Sequence, residues 1–190
     1  MKKTLIILVL LFSSSVLAED ISDFEIEGIS IGDSLLDYIN EENIIEQLFN
    51  YENDIDKTFQ SAEYYKPDFL EQYESIQFAI KTNDPKYIIY GIRAGIFFDN
   101  INNCYKKMND VAADLSLVFK KSKRVNQEDR PHPLDKSGKS TVISVEYDFP
   151  NKDYFTVACY NWSDESGHPI TLHITFTKKE FGHWLTKIYK

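Results

Sequence analysis

Two cysteines carry the clearest chemistry in this chain. Cys104 falls on the apolar stripe Ile101, Cys104, Met108, Val111, Leu115 and Val118 or Phe119, whose steps of three and four describe one face of a helix over about residues 100–123. Cys159 shares one face of a strand with Phe155 and Val157, alternating with Tyr154, Thr156 and Ala158. Both sulfurs point inward, and two such thiols in an exported chain pair, so we expect a structural disulfide between Cys104 and Cys159 across 55 residues.

Other chemistry-bearing groups are sparse. Glu52, Asp54, Asp56 and Glu63 reproduce the ligand spacing of a calcium loop, but Lys57 occupies the position where such a loop needs glycine for a left-handed bend. His132, His168, His173 and His183 show neither the His-x-x-x-His helical spacing nor the cysteine company of a zinc site, and they read as surface residues. We therefore expect no metal and no cofactor. Asn161-Trp162-Ser163 is a glycosylation acceptor only in a host that glycosylates.

The N-terminus argues for the compartment. Lys2 and Lys3, an uncharged run over residues 5–12, Ser13 to Ser15 and Val16-Leu17-Ala18 ahead of Glu19-Asp20 have the order of a cleavable secretory signal over residues 1–18. Its apolar run is too short to span a bilayer, no later run reaches membrane-spanning length, and no cysteine follows the cleavage site to take a lipid. The expected mature chain, residues 19–190, is a single periplasmic or secreted domain without a membrane span or a lipid anchor. The full chain carries a net charge of −9, which argues against nucleic acid. Residues 19–75 hold 17 acids against Lys57 and Lys66, whereas residues 76–190 hold 13 acids against 17 Lys and Arg. The acidic part suits a basic partner, and an envelope protein is the expected one.

Periodicity supplies the elements. Ser34 and Asp37 have the capping-box form ahead of an apolar stripe of Leu35, Ile39, Ile45, Leu48 and Phe49, so a helix is expected there. Residues 50–75 read as irregular with short helices, which makes residues 19–75 an acidic helical part. Ile76, Phe78 and Ile80 alternate before Asn83-Asp84-Pro85 and a 12-residue apolar run over 87–98, a hairpin whose second strand is bent or bulged at Gly91 and Gly95. Residues 120–140 read as a basic surface loop. Three strands then run through Ile143–Phe149, Phe155–Cys159 and Ile170–Phe176, and Phe181, Trp184, Leu185 and Ile188 mark a terminal helix. The expected fold class is α+β: an antiparallel sheet of about five strands with helices packed on one face.

Gly32-Asp33-Ser34-Leu35 resembles the signature block of the GDSL esterases and lipases. That resemblance implies Ser34 as nucleophile with Asp129 and His132, in Asp129-Arg130-Pro131-His132, as the supporting pair. The family's Gly-x-Asn-Asp block is absent, and its parallel α/β sandwich differs from the antiparallel pattern here. A strand-ending Gly32 and a helix-capping Ser34 account for the same four residues. The stretch Ile29-Ser30-Ile31-Gly32-Asp33-Ser34-Leu35-Leu36-Asp37 resembles the opening of small exported bacterial domains, among them SmpA/OmlA-type assembly lipoproteins and β-lactamase-inhibitor-like modules. The expected role is a non-enzymatic protein that binds another protein in the bacterial envelope. The alternatives are an esterase using Ser34 and a small-ligand carrier with its pocket between sheet and helices, the latter favoured if a concave face is left open.

Overall fold

The computed structural model describes residues 20–133 and 135–189. The expected leader, residues 1–18, lies outside the described residues. The chain opens with a 3-10 turn, Ile21–Asp23, closed by a reciprocal capping box between Asp20 and Asp23. A minimal hairpin follows, β1 (Glu25–Ile26) and β2 (Ile29–Ser30), turned through the left-handed Glu27 and Gly28.

The helix expected from Ser34 is broken in two. Ser34 Oγ accepts from Leu36 N at 3.3 Å and caps only a 3-10 turn, Leu35–Asp37. Asn40 then turns extended and caps α1 (Glu41–Gln47), its Oδ1 accepting from Asn43 N at 2.9 Å. Two competing caps six residues apart split a stripe that periodicity alone joins. Of the part expected to be acidic and helical, only this seven-residue α-helix is so.

The rest is strand-rich. β3 (Leu48–Asn50), β4 (Phe59–Tyr65), β5 (Ser75–Lys81) and β6 (Ile89–Phe98) form a meander, α2 (Ile101–Val118) crosses over, and β7 (Lys123–Pro131), β8 (Thr141–Asp148), β9 (Tyr154–Asn161) and β10 (Ile170–Thr177) complete the sheet before α3 (Lys179–Ile188). The spatial order is β3-β4-β5-β6-β10-β9-β8-β7, antiparallel throughout. The last strand is thus inserted at the centre, between β6 and β9.

This overturns the expected sheet of about five strands with helices on one face. The large sheet has eight strands, a second sheet has two, and helices lie on both faces of the large one. β4 escapes the sequence argument because both its faces are covered and one carries polar groups: Ser61 and Ala62 are both fully buried. β7 escapes it because an edge strand needs only backbone pairing, and its exposed charged side chains read as loop.

The main core lies between one sheet face, α2 and the N-terminal segment. Leu172, Ile174 and Phe176 of β10 meet Cys104, Met108 and Leu115 of α2 together with Ile21, Phe24 and Ile44, so the acidic and basic parts of the chain share one core. Tyr147 fixes α2, its hydroxyl donating to Ala112 O at 2.5 Å. The Cys104–Cys159 disulfide ties α2 to β9, with Cα atoms 6.0 Å apart. Such a bond is compatible with an extracellular location. Among the described residues, no helix is long and apolar enough to cross a membrane.

Candidate functional site

The second sheet face is where the chain departs from simple core packing. α3 folds directly back from β10 because its first turn is held at two points: Lys178 N donates to Tyr90 O at 3.0 Å, and Lys179 N donates to Asp153 Oδ1 at 2.7 Å. Its apolar stripe places Phe181 and Trp184 on Phe59 and Ala79, with ring centroids of Phe59 and Trp184 5.1 Å apart. Close approach is possible because Gly91 has no side chain; an ideal Cβ there would lie 2.9 Å from the Phe181 ring. β6 shifts register opposite Ala79 and Ile80, as the two glycines in its sequence led us to expect.

A pocket of about 440 Å³ remains between this face and α3. Its floor is a single rung of the sheet. Register aligns Gln77 of β5, Arg93 of β6, Thr175 of β10 and Thr156 of β9 side by side. The walls are aromatic and aliphatic: Tyr51 and Phe49 on one side, Phe181 and Leu185 from α3 with Tyr189 just past its end, and Tyr154 and Tyr160 from β9. Tyr51 donates to or accepts from Ser61 Oγ at 2.5 Å, and burial pushes its phenol up to about 12, so it presents a neutral ring.

Arg93 is the one charged residue in this lining. Its Nε donates to His173 Nδ1 at 2.8 Å, and Nη2 shares the same acceptor. Its guanidinium carbon stands 5.1 Å from the Tyr160 ring centroid. Among the described residues, no carboxylate forms an ion pair with Arg93. Burial, the Arg93 charge and then the charge of His132 hold the His173 imidazole well below the ordinary histidine range, so it is neutral and accepts.

Beyond Arg93, an aromatic ladder continues along the face. Tyr160 lies 4.7 Å from His173 and is stacked with Trp162 at 5.8 Å, and His132 packs 4.5 Å from Trp162. His132 is buried and His173 half-buried, against the expectation of surface histidines. Burial, and next the Arg93 charge, lower the His132 pKa. Among the described residues, no group of three His, Cys, Asp or Glu side chains is arranged to hold a metal. Lys57 does adopt a left-handed φ of 48°, without glycine, and Asp56 beside it pairs with Lys187 at 3.5 Å.

Ser34, Asp129 and His132 are not brought together. Ser34 forms an isolated bridge with Ile88, and its hydroxyl donates to Lys86 O at 2.6 Å. His132 N donates to Ser140 O beside Thr141, whose register through β9 and β10 leads to the Phe97 end of β6. From Ile88 to Phe97 the strand advances about 30 Å. Asp129 stands exposed in the irregular part of edge strand β7.

The residues that build the pocket were missed in the sequence for a specific reason. Thr156 and Thr175 alternate with inward apolar residues on their strands, and Arg93 interrupts the apolar run over 87–98, so none of the three stands out locally. A usable signal was present: Arg93 is flanked at two residues on either side by Gly91 and Gly95, and glycine inside a strand marks close approach of another group, here Phe181 at Gly91 and Ser75 at Gly95. Compared with protein-family profiles, with curated proteins and with solved structures, the chain matches none.

Proposed function

We propose that this protein binds a small organic molecule in the pocket between the second sheet face and α3, and acts as an exported carrier. The observation that supports this reading is the rung of Gln77, Arg93, Thr175 and Thr156 beneath aromatic walls. A volume of about 440 Å³ lies within the size range of ligand sites, and few orienting polar groups within apolar walls is their usual composition. Ser34, whose hydroxyl is engaged by a backbone carbonyl and a cap, stands apart from this pocket.

Isolating the protein natively from the cell that makes it, and analysing what is released on denaturation, tests the reading. A small molecule recovered in stoichiometric amount from the wild type, and lost from Thr156→Trp, which fills the floor, is the expected result. Equal recovery from both, or none from either across repeated preparations, refutes it.

A further inference from the structure

Resting on the ligand-pocket reading, we propose that the occupant is an organic monocarboxylate, its carboxylate held end-on by Nη1 and Nη2 of Arg93 and its apolar body lying under α3. Three observations carry this. The first is charge: Arg93 is half-buried in the pocket, has no carboxylate partner among the described residues and is the single charge in the lining. One fixed positive charge balances a monoanion. A phosphate monoester, carrying close to two negative charges, would be left half compensated.

The second observation is the orientation of the fork. His173 Nδ1 takes the Nε and Nη2 edge, so the remaining edge, Nη1 with the second hydrogen of Nη2, is the one available for a two-oxygen acceptor. His173 is thereby a positioning residue. The Tyr160 ring, with its centroid 5.1 Å from the guanidinium carbon, packs against the same group. Phe181 covers Gly91, and Ser75 and His173 cover Gly95, so the open part of the floor is the Arg93 rung between them.

The third observation is the division of the lining. Thr156 and Thr175 lie on the Arg93 rung and supply hydroxyls beside the head group. Phe181 and Leu185 of α3 and the Tyr189 that follows it, with Phe49 and Tyr51, form an apolar roof and far wall. An acid with an aryl or medium alkyl body satisfies both ends, whereas a free inorganic anion would leave the apolar part unused.

Isothermal titration of the full chain, disulfide intact, with 2-naphthylacetate, 4-phenylbutyrate and decanoate, each against its neutral methyl ester, tests the proposal. The acids are expected to bind roughly 10- to 100-fold tighter than their esters, the gain from a hydrogen-bonded charged group. Arg93→Gln should abolish that preference by weakening the acids far more than the esters, with near-ultraviolet circular dichroism confirming that the variant is folded. Should it not fold, the acid-to-ester ratio on the wild type decides alone. Acid and ester binding equally would overturn the monocarboxylate and leave the pocket reading standing. Tighter binding of 2-naphthyl phosphate than of the carboxylates would overturn it likewise. No binding of any probe at about millimolar concentration would overturn both readings.

Discussion

Replacing Gly91 by alanine sets two opposing effects against each other. Glycine inside a strand costs roughly 0.5–1 kcal/mol relative to alanine, so a glycine in open space should be improved by the change. Gly91 is not in open space: the new Cβ would stand 2.9 Å from Cδ1 and Cε1 of Phe181 and 3.3 Å from the Ala79 Cβ. Unstrained carbon contacts begin near about 3.5 Å, so the ring must retreat by several tenths of an ångström. It has little freedom to do so, because Tyr51, Phe59 and Trp184 surround it with ring centroids at 6.0, 5.1 and 5.7 Å. The strand cannot yield instead, since β6 is paired to β5 and β10 on its two sides. Overpacking of this kind costs about 1–3 kcal/mol, which exceeds the glycine gain. The expected net loss is about 1–2 kcal/mol, or a fall in Tm of roughly 2–8 °C for a domain of this size. Urea unfolding followed by tryptophan fluorescence, with Trp184 beside the contact, measures it. Phe181→Leu removes the obstructing ring, so the double variant should be about 1 kcal/mol more stable than the two single losses added together. A stabilised Gly91→Ala protein, or strict additivity with Phe181→Leu, would refute the argument that this glycine exists to seat α3.

Two other measurements address the rest of the fold. Changing Cys104 and Cys159 together to alanine should cost about 4 kcal/mol in the loop-entropy account for a 55-residue closure, lowering Tm by about 10 °C; a loss under about 1 kcal/mol, or alkylation of both thiols in the unreduced native protein, contradicts a structural role. Stability should also fall on mild acidification. His173, facing Arg93, Tyr160 and His132, and His132, facing Asp135, Arg130, His168 and Trp162, both have pKa values lowered by folding. The unfolded chain therefore takes up protons that the folded chain refuses once the pH drops below about 6.5, and each ring removes up to about 1.4 kcal/mol per pH unit from there down to its folded value. Urea midpoints between about pH 7.5 and 5.5 should decline in the wild type and decline less in His173→Gln. A flat wild-type profile over that window would show that neither ring is held neutral.

The sequence determined whatever depended on one face of one element. The helix carrying Cys104 and the strand carrying Cys159 were legible because each shows an apolar period against a polar background, and two inward sulfurs then imply their bond. The terminal helix and the 76–98 hairpin were legible for the same reason, down to the irregularity of β6. Tertiary structure alone decided the features in which period carries no information. β4 is covered on both faces and β7 on neither, so neither alternates in the expected sense, and together they turn the expected five-stranded sheet into eight. Insertion of β10 between β6 and β9 is a long-range pairing that local pattern cannot specify, and it is what brings Thr175 beside Arg93. The pocket follows from that pairing. Its four floor residues come from four strands and meet only in the register of the assembled sheet, and α3 covers them because Tyr90 and Asp153, distant in sequence, hold its first turn. A polar residue facing outward from a strand looks the same in sequence whether water or a helix lies over it, so the face that best supports a function was the one the sequence assigned to solvent.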